Sequence, residues 1–431
     1  MSLENGSAIE EAGTRFKLFP QPPFLDAFQE PEIIEVSSPA GSVGPGPEDD
    51  RMYTIFPVGK AEPYGIGVNP DGEGMYLPPW GGEILPPAEP DEEGHFDYLE
   101  PGTPQFESAH LFGSARFTMD VWEMYFDRKI PWHFGNDGEK LELTQLPSLD
   151  NALIGWGFLE AGGTQTDEHG FHPYSLNFDI VAHEIGHAII YSEVGLPVRN
   201  VENGEYYGFH ESAADLVALI TTLHFPSVVD TILDNTSGNL YTMNKLSRFA
   251  ELSQNKQIRL AANNRMLSEF AAGYDDEHDL AQPLTGAMFD ILVDVFHENL
   301  VEEGLISPEV EDLSDRLEGD ARYSDILQNY FDERYSQNPQ AFRRALLKAR
   351  DYLGSYLADA WQLLDADLLS YAGVGQALLN VDQELTGGRY ARIIEGNFVV
   401  REIGSVQPGP RVPKPGKESH SASARTLRPP D

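Results

Sequence analysis

The residues with the clearest chemical potential are two histidines and a glutamate in the segment His183-Glu184-Ile185-Gly186-His187. Residues four apart lie on one face of an α-helix, so His183 and His187 can direct their imidazoles at a single zinc ion. Glu184 then lies beside the metal, where a carboxylate can accept a proton from an activated water. The spacing predicts a helix that carries two metal ligands and a general base.

A second segment, residues 208–215, places two carboxylates at the same helical spacing. Glu211 can serve as a third ligand, and Asp215 can accept the second N–H of a ligand histidine and so fix its tautomer. Three protein ligands leave one coordination position open, which is typical of catalytic zinc sites. The two segments together predict such a site.

The alternative is a surface helix with two solvated histidines, because the five-residue motif alone is a signal of moderate specificity. The residues around the motif are mostly apolar: Ile180, Val181, Ala182, Ile185, Ala188, Ile189 and Ile190. Two histidines and a glutamate buried among them would be costly without a metal or another partner. The zinc interpretation is therefore favoured.

Length and composition limit the remaining choices. The chain has 431 residues, of which 41% are hydrophobic, enough for two or more lobes with substantial cores. It has no cysteine, so any zinc must be held by nitrogen and oxygen ligands. No run of 18 apolar residues is present, which argues against a membrane span.

The charge balance is strongly acidic, with 29 basic and 70 acidic residues and a net charge of −41. Such a surface repels nucleic acid and anionic membranes. It is typical of a secreted or salt-exposed protein and could bind divalent cations, although a solvated surface without a specific partner is the favoured interpretation. Residues 1–6 lack the basic and apolar pattern of a signal peptide, so the localisation is left open, with an extracellular one favoured.

The composition changes along the chain and predicts four regions. Residues 1–105 are rich in proline and glycine, with strand-like runs at 52–56 and 65–68, and predict an irregular segment or small β module. Whether this segment covers the site as an inhibitor stays open. The other predicted regions are a catalytic lobe at 106–225, a helical lobe at 226–404 and a flexible tail at 405–431. Helices are predicted within the helical lobe near 240–255, 257–271, 323–335, 340–352, 355–371 and 374–384.

Several segments resemble motifs of thermolysin-like zinc metallopeptidases, which belong to the gluzincin group, whose third zinc ligand is a glutamate. The resemblance covers roughly residues 107–300 and is carried by 108–115 (SAHLFGSA), 150–153 (DNAL), 178–184 (FDIVAHE), 208–215 (GFHESAAD) and 258–263 (IRLAAN). It implies an α+β fold: a catalytic core with a small mixed sheet lobe and a mainly α-helical C-terminal lobe, preceded by the irregular N-terminal segment.

The resemblance also implies a function, zinc-dependent hydrolysis of peptide bonds in a peptide or protein substrate, with endopeptidase action favoured. It implies that His183, His187 and Glu211 are zinc ligands and that Glu184 is the general base. Substrate binding is implied for the backbone binders Asn151 and Ala152, for the pocket residues Phe171 and Ile180 with Ile258, and for Arg259 or else Arg248 at a substrate carbonyl. His278, oriented by Asp275 or Asp276, is implied to contact the oxyanion.

The chain departs from the family at two places. Val198 stands where the family has a tyrosine that stabilises the transition state, and Tyr206 or Tyr207 could supply that phenol instead. Calcium is possible but is not supported by the motif: Asp179 is present, whereas Thr222 stands where the family has a glutamate ligand. Two alternatives stay open, a catalytically weak or inactive binding module that retains zinc, and a zinc hydrolase acting on peptide ends or non-peptide amides.

Overall fold

The computed structural model describes residues 12–25, 28–65, 76–135, 139–166, 170–241, 248–253, 256–316 and 324–412. For residues 248–253 and 256–260 it describes the backbone alone. Most of the strand-like run at 65–68 lies outside the described residues, as do three of the four residues in the segment 167–170, whose sequence predicts a turn.

Helices and short strands both contribute to the fold, which is α+β. The strands are β1 (Gly13–Leu18), β2 (Glu32–Pro39), β3 (Met52–Ile55), β4 (Leu141–Gln145), β5 (Ala152–Ile154), β6 (Phe158–Ala161), β7 (Gly163–Thr166), β8 (Gly170–Pro173), β9 (Arg248–Ser253) and β10 (Lys256–Leu260). The helices are α1 (Pro104–Tyr125), α2 (Phe178–Glu193), α3 (Gly204–Thr222), α4 (Pro226–Thr236), α5 (Glu277–Glu302), α6 (Pro308–Arg316), α7 (Ser324–Gln337), α8 (Pro339–Trp361), α9 (Tyr371–Thr386) and α10 (Ala391–Val400).

A four-stranded sheet supports the helices that carry the two motifs. Its strand order is β3-β4-β6-β5; β3, β4 and β6 run parallel, and β5 is antiparallel at one edge. The strands β3 and β4 are joined through α1, because a parallel pair needs a crossover connection. The N-terminal region thus supplies one strand of this sheet, so β3 is not part of a separate module.

Helix α1 begins where local signals predict. The Thr103 side chain accepts a hydrogen bond from the Phe106 amide, and Pro104 occupies the first turn, where its missing N–H costs nothing. The apolar residues recurring at helical spacing are buried: Leu111, Ala115, Met119 and Trp122. The β1–β2 hairpin packs on this helix close to Gly113, where a Cβ would lie 2.8 Å from a methyl carbon of Leu18.

Helices α2 and α3 pack closely against each other, and this contact assembles the site. Asn177 caps α2 by accepting from the Ile180 amide, and Asn203 caps α3 in the same way. Gly186 permits the close approach, since a Cβ there would lie only 2.8 Å from the Ala214 Cα. The contact brings the carboxylates of α3 against the histidines of α2.

The predicted helices at 240–255 and 257–271 are wrong over their described residues. β9 and β10 form an antiparallel hairpin there, and Leu267–Phe270 form a short 3-10 turn. Apolar residues alternate with polar ones at Ile258 and Leu260, a period of two that fits a strand.

Two further corrections concern the C-terminal region. A single helix, α8, covers the first of two predicted helices and only residues 355–361 of the second. Gly354 lies within α8 and admits the Tyr125 ring; a Cβ there would lie 2.4 Å from that ring. Residues 405–412 of the predicted flexible tail pack against the chain before α5. Tyr274 and Arg411 form a β-bridge, and Arg411 pairs with Glu277. Residues 413–431 lie outside the described residues.

In the described ranges, no single helix combines the length and the apolar character of a membrane span. The pair α3 and α4 passes that test together, by length and composition only, but is bent by 91°.

Candidate metal centre

Three side chains from the two motif helices converge on one point. The donor atoms of His183, His187 and Glu211 all lie within 4.8 Å of one another, and all three residues are buried. The Glu211 Oε2 atom is 3.4 Å from the His183 Nε2 atom and 3.7 Å from the His187 Nε2 atom. Zinc bonds of about 2.0–2.1 Å at tetrahedral angles separate neighbouring donors by ~3.3 Å, so the group could hold such an ion.

Asp215 fixes the orientation of the first ligand histidine. Its Oδ1 atom lies 2.9 Å from the His183 Nδ1 atom, and both side chains are buried. The carboxylate accepts the Nδ1 proton, which leaves the lone pair of Nε2 directed at Glu211. The structure therefore brings Asp215 into contact with His183, and its role behind a metal ligand stays a prediction.

His210 orients the second ligand histidine, a role that the sequence interpretation missed. The Nδ1 atoms of His210 and His187 are 2.6 Å apart. If the Nε2 atom of His187 binds a metal, its Nδ1 atom carries the proton, so the Nδ1 atom of His210 must accept it. Burial lowers the pKa of His210 to about 3, which keeps the ring neutral and able to accept. The sequence feature that could have indicated this role is position. His210 directly precedes Glu211, so its side chain points about 100° around the helix from that of Glu211.

The electrostatics of Glu211 favour its ionised form. Burial alone would raise its pKa, but the neighbouring His278 and His187 outweigh burial and hold the pKa well below its ordinary value. The His278 Nδ1 atom lies 2.8 Å from the Glu211 Oε2 atom, and its side chain is 49% exposed. Helix α5 thus brings His278 to the open side of the site. The Asp276 carboxylate accepts from the His278 backbone amide and caps α5.

Strand β5 presents a free edge beside α2. The Asn151 carbonyl accepts from the Gly162 amide at 3.0 Å, and the Gly155 amide donates to the Phe158 carbonyl at 2.9 Å. Because hydrogen bonding alternates along an antiparallel pair, Ala152 directs its backbone N–H and C=O away from β6. No described strand pairs with that side. Asn151 is exposed, and the pairing of Asn151 and Ala152 with a substrate backbone stays a prediction.

The predicted pocket residues occupy different elements. Ile180 is buried in the first turn of α2, and Phe171 lies on β8 with 44% of its surface exposed. The Phe171 ring lies over Gly163, where a Cβ would be 2.4 Å from its Cζ atom. Arg259 and Ile258 belong to β10, and Arg248 to β9, but their side chains lie outside the described residues. The roles of these residues stay predictions.

The loop that begins at Val198 is bound to Asp367. The amides of Val198, Arg199 and Asn200 donate to the Asp367 Oδ1 atom at 2.7, 2.6 and 3.1 Å. The three amides, Arg199 first, outweigh the desolvation and hold the pKa of Asp367 below its ordinary value. The Val198 side chain is 61% exposed, so it faces solvent at the position of the missing tyrosine.

Three tyrosines lie near this loop and the centre. The buried Tyr206 donates its hydroxyl to the Gly195 carbonyl at 2.6 Å, and Tyr207 donates to the Val201 carbonyl at 3.2 Å. Tyr191, which the sequence interpretation missed, follows the second ligand histidine by one helical turn. Burial raises its pKa, and the charges of nearby Glu211 and Glu184 raise it further, so the phenol stays protonated. Its helical spacing from the motif was the available signal.

Asp179 is bound by neutral donors from two other segments. The Gln21 amide nitrogen is 2.9 Å from each carboxylate oxygen, and the Thr222 hydroxyl is 3.0 Å from Oδ1. Asp179 is 3% exposed, and Thr222 occupies the position of the missing glutamate. Gln21 therefore lies at the carboxylate that the family resemblance associated with calcium.

Comparisons with known proteins give little beyond this geometry. No family model matches the chain, and no protein of curated function matches its sequence. Among solved structures, one similar chain is the precursor of protealysin, a metalloproteinase from Serratia proteamaculans. The similarity has 11% sequence identity and a TM-score of 0.36, and covers 67% of this chain and 87% of that chain. At this level, the likeness carries no argument about function, which rests on the residues of the centre.

Proposed function

We propose that this protein is a zinc-dependent peptidase that cleaves internal peptide bonds. The observation that carries the proposal is the buried group of His183, His187 and Glu211, with donor atoms within 4.8 Å of one another. Two imidazoles and one carboxylate form a donor set that suits zinc and leaves a fourth position open. Helical spacing places Glu184 next to this group.

The donor set fits a zinc ion because both histidines have partners for the tautomer that a metal requires. Asp215 and His210 hold the Nδ1 protons of the two histidines, so both Nε2 lone pairs are available. Zinc, when bound there, would act as a Lewis acid that polarises a carbonyl and lowers the pKa of water toward about 7.

The surrounding residues would supply binding and proton transfer. Glu184 accepts a proton from the attacking water and delivers it to the leaving amine. The free edge at Ala152 pairs with the substrate backbone, which explains why an extended peptide is the proposed substrate class. His278, on the open side, donates to the oxygen that gains negative charge. Phe171, Ile180 and Arg259 are assigned to substrate binding by resemblance alone.

The central experiment compares the wild type with Glu184→Gln, which keeps the shape of the side chain and removes the base. Internally quenched peptides of mixed sequence report hydrolysis, and elemental analysis reports bound zinc. We expect both proteins to hold one zinc and only the wild type to cleave, with a chelator abolishing cleavage. Full activity in Glu184→Gln, or a wild type that holds no zinc, would refute the assignment.

One observation favours a second function, a binding module that retains zinc. Val198 faces solvent on a loop bound to Asp367, so this loop offers no phenol to the reaction. Loss of one oxyanion donor costs about a hundredfold or more in rate. A zinc-loaded wild type that binds peptides but fails to cleave any of them would favour this second function.

A further inference from the structure

Three of the contacts between the N-terminal segment, residues 12–103, and the elements around the metal centre carry the argument, and the first is the sheet. β3 pairs in parallel with β4, from Met52 opposite Leu141 to Ile55 opposite Thr144. Together with α1, these strands form one βαβ unit. Loss of the segment would expose the hydrogen-bonding edge of β4, a strand that is fully buried.

The second place is a set of buried polar contacts at the sheet. The Lys60 ammonium lies 2.9 Å from the Glu160 carboxylate, and these side chains are 1% and 0% exposed. It also lies 3.6 Å from the centroid of the Tyr64 ring, whose hydroxyl donates to Glu142 at 2.9 Å. Glu142 and Glu160 belong to β4 and β6. Without the segment, two buried carboxylates of the sheet would lose these donors, which is strongly unfavourable.

The third place is the helix that carries the metal ligands. Gln21 donates to both oxygens of Asp179, which lies in the first turn of α2, four residues before His183. Thr222, near the end of α3, donates to the same carboxylate. Gln21 therefore connects the N-terminal segment to the point where the two motif helices meet.

The strand β3 lies away from the free edge of the sheet. β3 is the first strand and β5 the last in the order β3-β4-β6-β5, so β3 occupies the edge opposite the one at Ala152. Other parts of the segment lie closer to β5, since Tyr76 and Leu77 pack on the apolar cluster that also contacts Leu153. In the described residues, the segment therefore contacts the sheet at both ends of its strand order.

We propose that residues 12–103 are a permanent part of the metal-binding unit and that the chain works without their removal. An inhibitory segment that must leave would share few buried groups with the core. Here the core supplies the carboxylates and the segment supplies their cation and hydrogen-bond donors. The same contacts make the segment a positioning element for α2, through Gln21 and Asp179.

The test uses the full chain with a site-specific protease sequence inserted in the exposed turn at residues 100–103. The protein is cleaved in its folded state, and gel filtration with elemental analysis follows the two pieces and their zinc. We expect the pieces to elute together with unchanged zinc and to separate only in denaturant. The uncleaved insertion variant is the control.

The opposite result is equally clear. If the N-terminal piece leaves and the remainder stays soluble with its zinc, the proposal is refuted, and a gain in peptide turnover after cleavage would refute it too. Precipitation or zinc loss after the piece leaves would support it. The supporting readouts need bound zinc but not catalysis, so a zinc-loaded protein without peptidase activity would leave this inference standing.

A single-residue variant tests the link to α2. Gln21→Met keeps the side-chain volume but removes the amide donor, and Gln376→Met, at an exposed position on α9, is the matched control. We expect only Gln21→Met to lower both Tm and zinc affinity, because the buried Asp179 carboxylate in the first turn of α2 loses one of its hydrogen-bond donors. Unchanged zinc affinity and Tm in Gln21→Met would count against the positioning role.

Discussion

Replacing His210 tests whether the centre depends on the ring behind the second ligand. In the structure the His187 and His210 Nδ1 atoms are 2.6 Å apart, and neither residue is more than 7% exposed. His210→Leu removes the acceptor and keeps an apolar side chain of similar bulk. His210→Asn keeps an acceptor, since its amide oxygen can stand close to the position of the imidazole Nδ1 atom.

The magnitude follows from the cost of an unsatisfied donor. With a metal on Nε2, the Nδ1–H of His187 loses the acceptor that the His210 ring provides. A buried donor without a partner costs about 1–3 kcal/mol. Because each ~1.4 kcal/mol is a tenfold change, zinc affinity should fall roughly 10- to 100-fold, the range typical for partners of metal ligands.

Competition with a chromophoric zinc chelator measures this change, at a pH near 7.5 and at fixed ionic strength. We expect His210→Leu to show the full loss and His210→Asn to recover most of it. Circular dichroism of both variants without metal checks that the fold is intact. If His210→Leu binds zinc as tightly as the wild type, or His210→Asn as weakly as His210→Leu, the proposed tautomer is wrong.

Four further changes have defined outcomes. Asp215→Asn should weaken zinc binding about 10- to 100-fold, since an amide can hold the ligand ring in the wrong tautomer; chelator competition measures it. Burial raises the pKa of Glu107 to about 7 from an ordinary 4.5. The folded state therefore binds this proton more tightly, and the stability that it contributes is complete below pH 4.5 and lost as the pH rises through 7. Across that pH range, the free energy of unfolding of Glu107→Gln should rise relative to that of the wild type by about 1–2 kcal/mol, after allowance for partial exposure. Denaturant titrations measure this difference. Gly186→Val should lower the free energy of unfolding by about 1–3 kcal/mol or more through overlap with α3, and thermal unfolding reports it. Lys60→Met should cost about 3–5 kcal/mol, because the buried Glu160 loses its cation, and adding Glu160→Gln should restore much of that loss.

Each of these outcomes has a clear opposite. Undiminished zinc affinity in Asp215→Asn would separate that carboxylate from the metal centre. A constant stability difference from pH 4 to 8 would show that Glu107 titrates normally. A Gly186→Val protein of normal stability would contradict the close contact of α2 and α3. A Lys60→Met single variant as stable as the double variant would show that Glu160 needs no cation.

The site divides clearly into parts that local sequence could predict and parts that it could not. His183, His187, Glu211 and Asp215 lie in pairs four residues apart, and the helix alone decides that each pair shares a face. The capping residues and apolar surroundings of α1 and α2 are equally local. For these, the structure adds distances and burial to an arrangement that spacing had already predicted.

Other features depend on segments far apart in the chain. His210 became important only because Gly186 lets α3 approach α2 closely enough for the two rings to meet. The strand β3 pairs with β4 across a crossover that contains α1. Because no hairpin turn joins the two strands, no local pattern specifies their register. The hairpin of β9 and β10 replaced predicted helices because strand formation depends on pairing, which is context-dependent.

The sequence by itself therefore determined the chemistry of the metal centre, since ligand identity and spacing are properties of one helix at a time. The tertiary structure decided how that centre is supported and reached. It placed β3 of the N-terminal segment at the sheet edge opposite Ala152, directed Val198 to solvent, and brought Gln21 to Asp179. These outcomes follow from the packing of distant segments, whose free energies depend on all partners together and cannot be read from the residues of any one segment.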